Sequence, residues 1–64
     1  MTIKIIDRLT NKKVYENKFV VSISDIEHSA VDNISTIYYV AEGIPEDCPQ
    51  QLCFNPFVDK VEIH

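Results

Sequence analysis

The sequence predicts a small α+β domain, a twisted antiparallel sheet of about four strands carrying one short helix, with an all-β arrangement as the alternative. Three observations carry that prediction. Alternating apolar and polar residues flank a polar turn at Thr10-Asn11-Lys12-Lys13; a capping-box pattern at Ser24 opens a stretch of four-residue apolar spacing; and a β-branched, aromatic run fills Ser35 to Ala41.

The elements follow in order. Thr2 to Leu9 alternates as a strand, with Ile3, Ile5 and Leu9 on one face and Lys4, Ile6 and Arg8 on the other. Asn11, which tolerates a positive φ, closes a hairpin onto Val14 to Ile23, where Tyr15, Phe19, Val21 and Ile23 share a side. Asn17 falls on that apolar side, so a bend or bulge is expected near Glu16-Asn17. In Ser24-Asp25-Ile26-Glu27 the serine and the glutamate three residues on would satisfy each other's free amides at a helix start. Ile26, Ala30 and Ile34 then recur at four-residue spacing beside Val31, which predicts a helix over Asp25 to Asn33. The rival reading continues the strand from Val20 to Ile26 and makes His28 to Asn33 a loop, because Ser, Asp, Asn and β-branched residues are mediocre helix formers.

Ser35 to Ala41 reads as a strand, apolar on both sides, with Ile34, Thr36, Tyr38 and Val40 facing the core and Ile37 and Tyr39 exposed. Residues 42–56 hold the only glycine, Gly43, and all three prolines, Pro45, Pro49 and Pro56, and read as one long loop. Phe57 to Ile63 closes the sheet, with Phe57, Val61 and Ile63 on one face. The whole chain, 1–64, reads as a single compact domain.

Sixty-four residues exclude a dinucleotide-binding βαβ unit, and one glycine excludes a glycine-rich phosphate loop. No apolar run approaches the roughly 18 residues of a membrane span. Charges within the first eight residues, and no apolar h-region, argue against a signal peptide, so cytoplasmic residence is expected. A chain of 7.4 kDa should expose about 4,200 Å² when folded. Its core is correspondingly thin, so a disulfide, a metal, a partner subunit or favourable local geometry is expected to add stability.

Cys48 and Cys53 enclose four residues of the loop. They read first as reduced thiols, since a cytosolic chain is kept reduced. A disulfide pinning the loop, or zinc shared with His28 and His64, are the alternatives, and either would make a thiol- or metal-responsive switch. Nothing in the sequence brings Cys48 or Cys53 to His28 as a nucleophile and base, and Glu46-Asp47 is an adjacent pair on a surface loop, so no catalytic, cofactor or metal set is assigned.

Charge placement is more informative. Five of the six basic residues, Lys4, Arg8, Lys12, Lys13 and Lys18, lie in the first eighteen positions, and none falls between Phe19 and Asp59. Seven acidic residues from Asp25 to Asp59 oppose them. The basic end is too sparse for a nucleic-acid site at a pI near 4.9, whereas the acidic half suits a basic surface on another protein. The sequence therefore predicts a non-enzymatic, acidic protein-binding module, an inhibitor or regulator of a larger protein from a virus or other mobile element. Ile37 and Tyr39 are its expected anchors, with Glu42, Glu46 and Asp47 as steering charges. A second copy covering the Ile37 and Tyr39 face, giving a structural homo-oligomer, is the competing expectation.

Overall fold

In the computed structural model, which describes every residue from Met1 to His64, the alternation becomes six strands and no helix. β1 (Ile3–Asp7) lies between β2 (Lys13–Asn17) and β6 (Asp59–Ile63) in one antiparallel sheet; β4 (Ile34–Ala41) lies between β3 (Val20–Ser29) and β5 (Gln50–Phe54) in a second. The α+β expectation is thus corrected to all-β, two sheets of three strands. No helix is long and apolar enough to cross a membrane.

The β1–β2 hairpin closes where the sequence places it. Asn11 adopts φ 61°, a conformation that asparagine tolerates better than most residues. Asp7 Oδ1 accepts the amides of Leu9 and Thr10 at 2.8 and 3.0 Å, supplying partners that a tight turn leaves unmet. The second arm is not one strand. At Lys18-Phe19 the chain bends out of the first sheet, with Asn17 Oδ1 accepting the Phe19 amide at 2.8 Å, and enters the second as β3. Val20 donates to the Met1 carbonyl at 3.2 Å and accepts from the Met1 nitrogen at 2.7 Å, stitching the corner to the start of β1.

Residues 25–33 are not helical. Asp25 to Ser29 complete β3, and Ala30 to Asn33 form the turn into β4, with Asn33 at φ 58° and Asp32 Oδ1 accepting the Ile34 amide at 3.1 Å. Ala30 and Val31, expected on a buried stripe, are exposed. Cross-strand pairing supplies the reason: β3 hydrogen-bonds along its length to a strongly β-prone strand, and that tertiary pairing outweighs a single local cap.

The face assignment of β4 is also corrected, although Val40 is buried as expected. Ser35, Ile37 and Tyr39 turn inward, while Thr36 and Tyr38 turn outward and are half-buried. A strand that is apolar on both sides does not declare its own phase, and a shift of one residue exchanges every side chain. Within the expected 42–56 loop, Gln50–Phe54 pairs with β4 as an edge strand, leaving residues 42–49 as the loop proper. The last strand starts at Asp59; Phe57 sits in the preceding turn, 75% exposed, its amide bonded to Asn55 Oδ1 at 3.0 Å.

The two sheets meet through Ile3, Val20, Ile37 and Tyr39, with Ile23, Ala41, Leu52, Phe54 and Val61 packed around them. The Cα envelope is 34 × 27 × 13 Å, and its short dimension suits two sheets about 10 Å apart. Only seven residues are buried, and the 4397 Å² of exposed surface matches the ~4,200 Å² expected of a folded monomer this size.

Candidate functional site

Register defines the two faces of the second sheet, because residues opposite one another in antiparallel strands share a side. The inward face carries three rows: Ile23, Tyr39 and Gln50; Ile26, Ile37 and Leu52; His28, Ser35 and Phe54. The outward face carries Asp25, Tyr38 and Gln51 in one row and Glu27, Thr36 and Cys53 in the next. Asp25, Glu27, Gln51 and Cys53 are exposed. Tyr38 Oη donates to Glu27 Oε2 at 3.2 Å, and Thr36 Oγ1 lies 3.5 Å from Cys53 Sγ. The Glu27 carboxylate, with partial burial and the hydrogen bond itself, holds the Tyr38 hydroxyl above its ordinary pKa of 10.0. No basic residue lies on this face.

Of the residues expected to form the site, Ile37 and Tyr39 lie in the core, 0% and 7% exposed, so the expectation that they are surface anchors is corrected. Tyr39 Oη is 3.3 Å from Tyr15 Oη, which in turn accepts from Asn17 Nδ2 at 3.4 Å; the Tyr15 hydrogen bond raises the Tyr39 pKa. Glu42, Glu46 and Asp47 are exposed on the 42–49 loop and make no ion pair. That loop is shaped by backbone turns, Ile44 N to Ala41 O at 3.2 Å and Cys48 N to Pro45 O at 3.0 Å, with Gly43 at φ 80°. It joins β4 to β5 and so leads directly into the outward face.

Cys48 and Cys53 are exposed free thiols. His28 shares a row with Ser35, its Nδ1 2.9 Å from Ser35 Oγ, on the side opposite Cys53, so the sheet itself separates that thiol from that imidazole. No three His, Cys, Asp or Glu side chains converge as a metal site would require. One shallow cavity of about 440 Å³ lies elsewhere, lined by Asp7, Arg8, Leu9, Phe57 and Val58 where the two turns of the first sheet meet.

Asp25, Glu27 and Tyr38, which the outward face brings together, are not among the five residues the sequence reading selects for the site. Their signal is the alternation of Asp25 and Glu27, which puts two carboxylates on one side of a strand but is hidden once that segment is read as a helix. The charge division sharpens in three dimensions. Residues 1–18 and 59–64 hold all six basic residues against four acidic ones, net +2; residues 19–58 hold six acidic and no basic residue, net −6. Compared with protein-family models, curated proteins and solved structures, the chain matches none.

Proposed function

We propose that this protein is a non-enzymatic binding module that docks a basic surface of a larger protein on the outward face of β3–β4–β5, and regulates or inhibits it by occupying that surface. The observation that carries this reading is the face itself: Asp25 and Glu27 flank the half-buried ring of Tyr38, with Gln51 and Thr36 as polar neighbours and no lysine or arginine on that side. Tyrosine is a favoured anchor because it contributes rigid apolar area and a polar tip at small entropic cost. The −6 half of the molecule steers a cationic partner, and Glu42, Glu46 and Asp47 extend the same field along the adjoining loop.

The test is a paired affinity capture from source-cell lysate, using the wild-type chain and an Asp25→Lys/Glu27→Lys variant whose circular dichroism matches it. The expected result is a stoichiometric partner held by the wild type, released by added salt and lost from the variant. Tyr38→Ala should weaken the same complex by about 1–2 kcal/mol, while charge reversal at Glu46 and Asp47 should mainly slow association. A partner retained equally by the Lys variant refutes the reading, as does the absence of any stoichiometric partner.

A further inference from the structure

We propose that the free edge of β6 is a self-complementary seam through which two copies of this chain join into a continuous six-stranded sheet. Thr2 and His64 exchange backbone hydrogen bonds at 2.8 and 2.9 Å, and Arg8 N donates to Val58 O at 2.9 Å. By the two-residue alternation of antiparallel pairing, Val58, Lys60, Glu62 and His64 direct their amides and carbonyls toward β1, and Asp59, Val61 and Ile63 direct theirs toward the open edge, where the Asp59 amide and carbonyl are already bonded to Asn55 O at 2.9 Å and Arg8 Nε at 3.2 Å and those of Val61 and Ile63 are free. A second β6 laid antiparallel about a two-fold axis through Val61 therefore makes Val61 opposite Val61 the hydrogen-bonded pair. Lys60 then stands opposite the second copy's Glu62, twice over. Those are non-hydrogen-bonded pairs, in which side chains across the seam approach most closely.

The charges favour this register. The outer face of the first sheet already reads Glu16, Lys4, Glu62 across β2, β1 and β6, with Lys4 Nζ 3.7 Å from Glu16 Oε2. The second copy's Lys60 would continue that alternation. Lys60 makes no ion pair within the chain, and Glu62 meets only His64 Nε2, at 3.6 Å. The seam also joins the two halves of net +2 rather than the two of net −6.

The other three edges lack this match. A second copy on β3 centred at Ile26 would set Asp25 against Glu27, and the pairing of β3 is irregular at two places. β2 is irregular opposite Ile5/Ile6, and its Lys13 is already bonded to Glu16 at 3.0 Å. β5 has no charge to set a register. A seam whose backbone pairing is centred on Val61 is small beside the roughly 1,200–2,000 Å² of stable interfaces, so the dimer should form in a concentration-dependent equilibrium.

Sedimentation across micromolar to millimolar concentration tests this with paired charge reversals. Lys60→Glu sets Glu against Glu across the seam and Glu62→Lys sets Lys against Lys, so each alone should raise the dimer dissociation constant by about tenfold or more. Mixed one to one, the two variants should dimerise with each other, and the double variant Lys60→Glu/Glu62→Lys should recover self-association. Thermal melts of each variant distinguish lost pairing from lost folding, and the mixture reports on the seam because only the cross-copy charges are restored. A wild-type chain monomeric throughout, a dimer indifferent to both reversals, or no recovery in the mixture would each overturn the proposal.

Discussion

Shortening Ile37 is the most discriminating perturbation of the fold, because the two phases of β4 predict different costs for it. Ile37 is fully buried on the central strand, clustered with Ile3 of the opposing sheet and with Val20 and Tyr39 of its own. Ile37→Ala removes three carbons, about 2.4 kcal/mol at ~0.8 kcal/mol each, and the unfilled space brings the total to roughly 3–4 kcal/mol. A chain of this length is stable by only about 3–10 kcal/mol, so that variant stands near its unfolding threshold. Ile37→Val removes one carbon, about 1 kcal/mol, and should lower Tm by about 4–8 °C. Tyr38→Phe, on the outward side of the same strand, should stay within about 0.5 kcal/mol of wild type. Far-ultraviolet circular dichroism and tyrosine fluorescence during thermal and urea unfolding measure all three. An Ile37→Val variant melting with the wild type, or an Ile37→Ala variant losing under about 1 kcal/mol, would refute the inward phase of β4 and the outward face derived from it.

The remaining predictions concern the turns and the pH range. Asn11 and Asn33 hold positive φ, so Ala at either position should cost about 1–2 kcal/mol while Gly should cost far less, read by urea unfolding; equal losses would mean the side chain rather than the backbone sets those turns. Asp7 is held below the ordinary carboxylate range by the amides of Thr10 and Leu9, Asp32 by the Ile34 amide and Ser29, and Glu16 by Lys13. The unfolded chain binds protons more readily at these groups, so their stabilisation is present above their unfolded values of 3.8 and 4.5 and is lost as pH falls below them. Tyr38 and Tyr39 are raised, so their stabilisation is present below pH 10.0 and lost as pH rises beyond it. Melting temperature against pH should fall at both ends, and Tyr38→Phe/Tyr39→Phe should shift the alkaline limb alone; an unchanged alkaline limb would contradict the assignment.

Some elements were legible because local chemistry and tertiary pairing agree. Asn11, Asp7 and the alternation from Ile3 to Asp7 all specify the same hairpin, and β4 declares itself by β-branched and aromatic residues. β3 misleads for a physical reason. Its pairing with β4 skips Val21 and Ser24, so Val20, Ile23 and Ile26 share a face at three-residue spacing. A strand with two such irregularities reproduces the spacing of a helical stripe, and Ser24 to Glu27 reproduces a helix cap. β5 was hidden among prolines and glutamines, and its pairing with β4, rather than its own propensity, makes it a strand. For the candidate site, the acidic character is visible in the sequence; which of Tyr38 and Tyr39 faces outward is not, because that rests on the phase of β4.

The most direct test of the binding-module account is a map of amide chemical shifts in isotope-labelled protein as the captured partner is added. Docking on the outward face should concentrate the changes on Asp25, Glu27, Thr36, Tyr38, Gln51 and Cys53, with smaller ones along 42–49. Changes centred instead on Leu9, Phe57 and Val58, with the outward face of β3–β4–β5 silent, would contradict it.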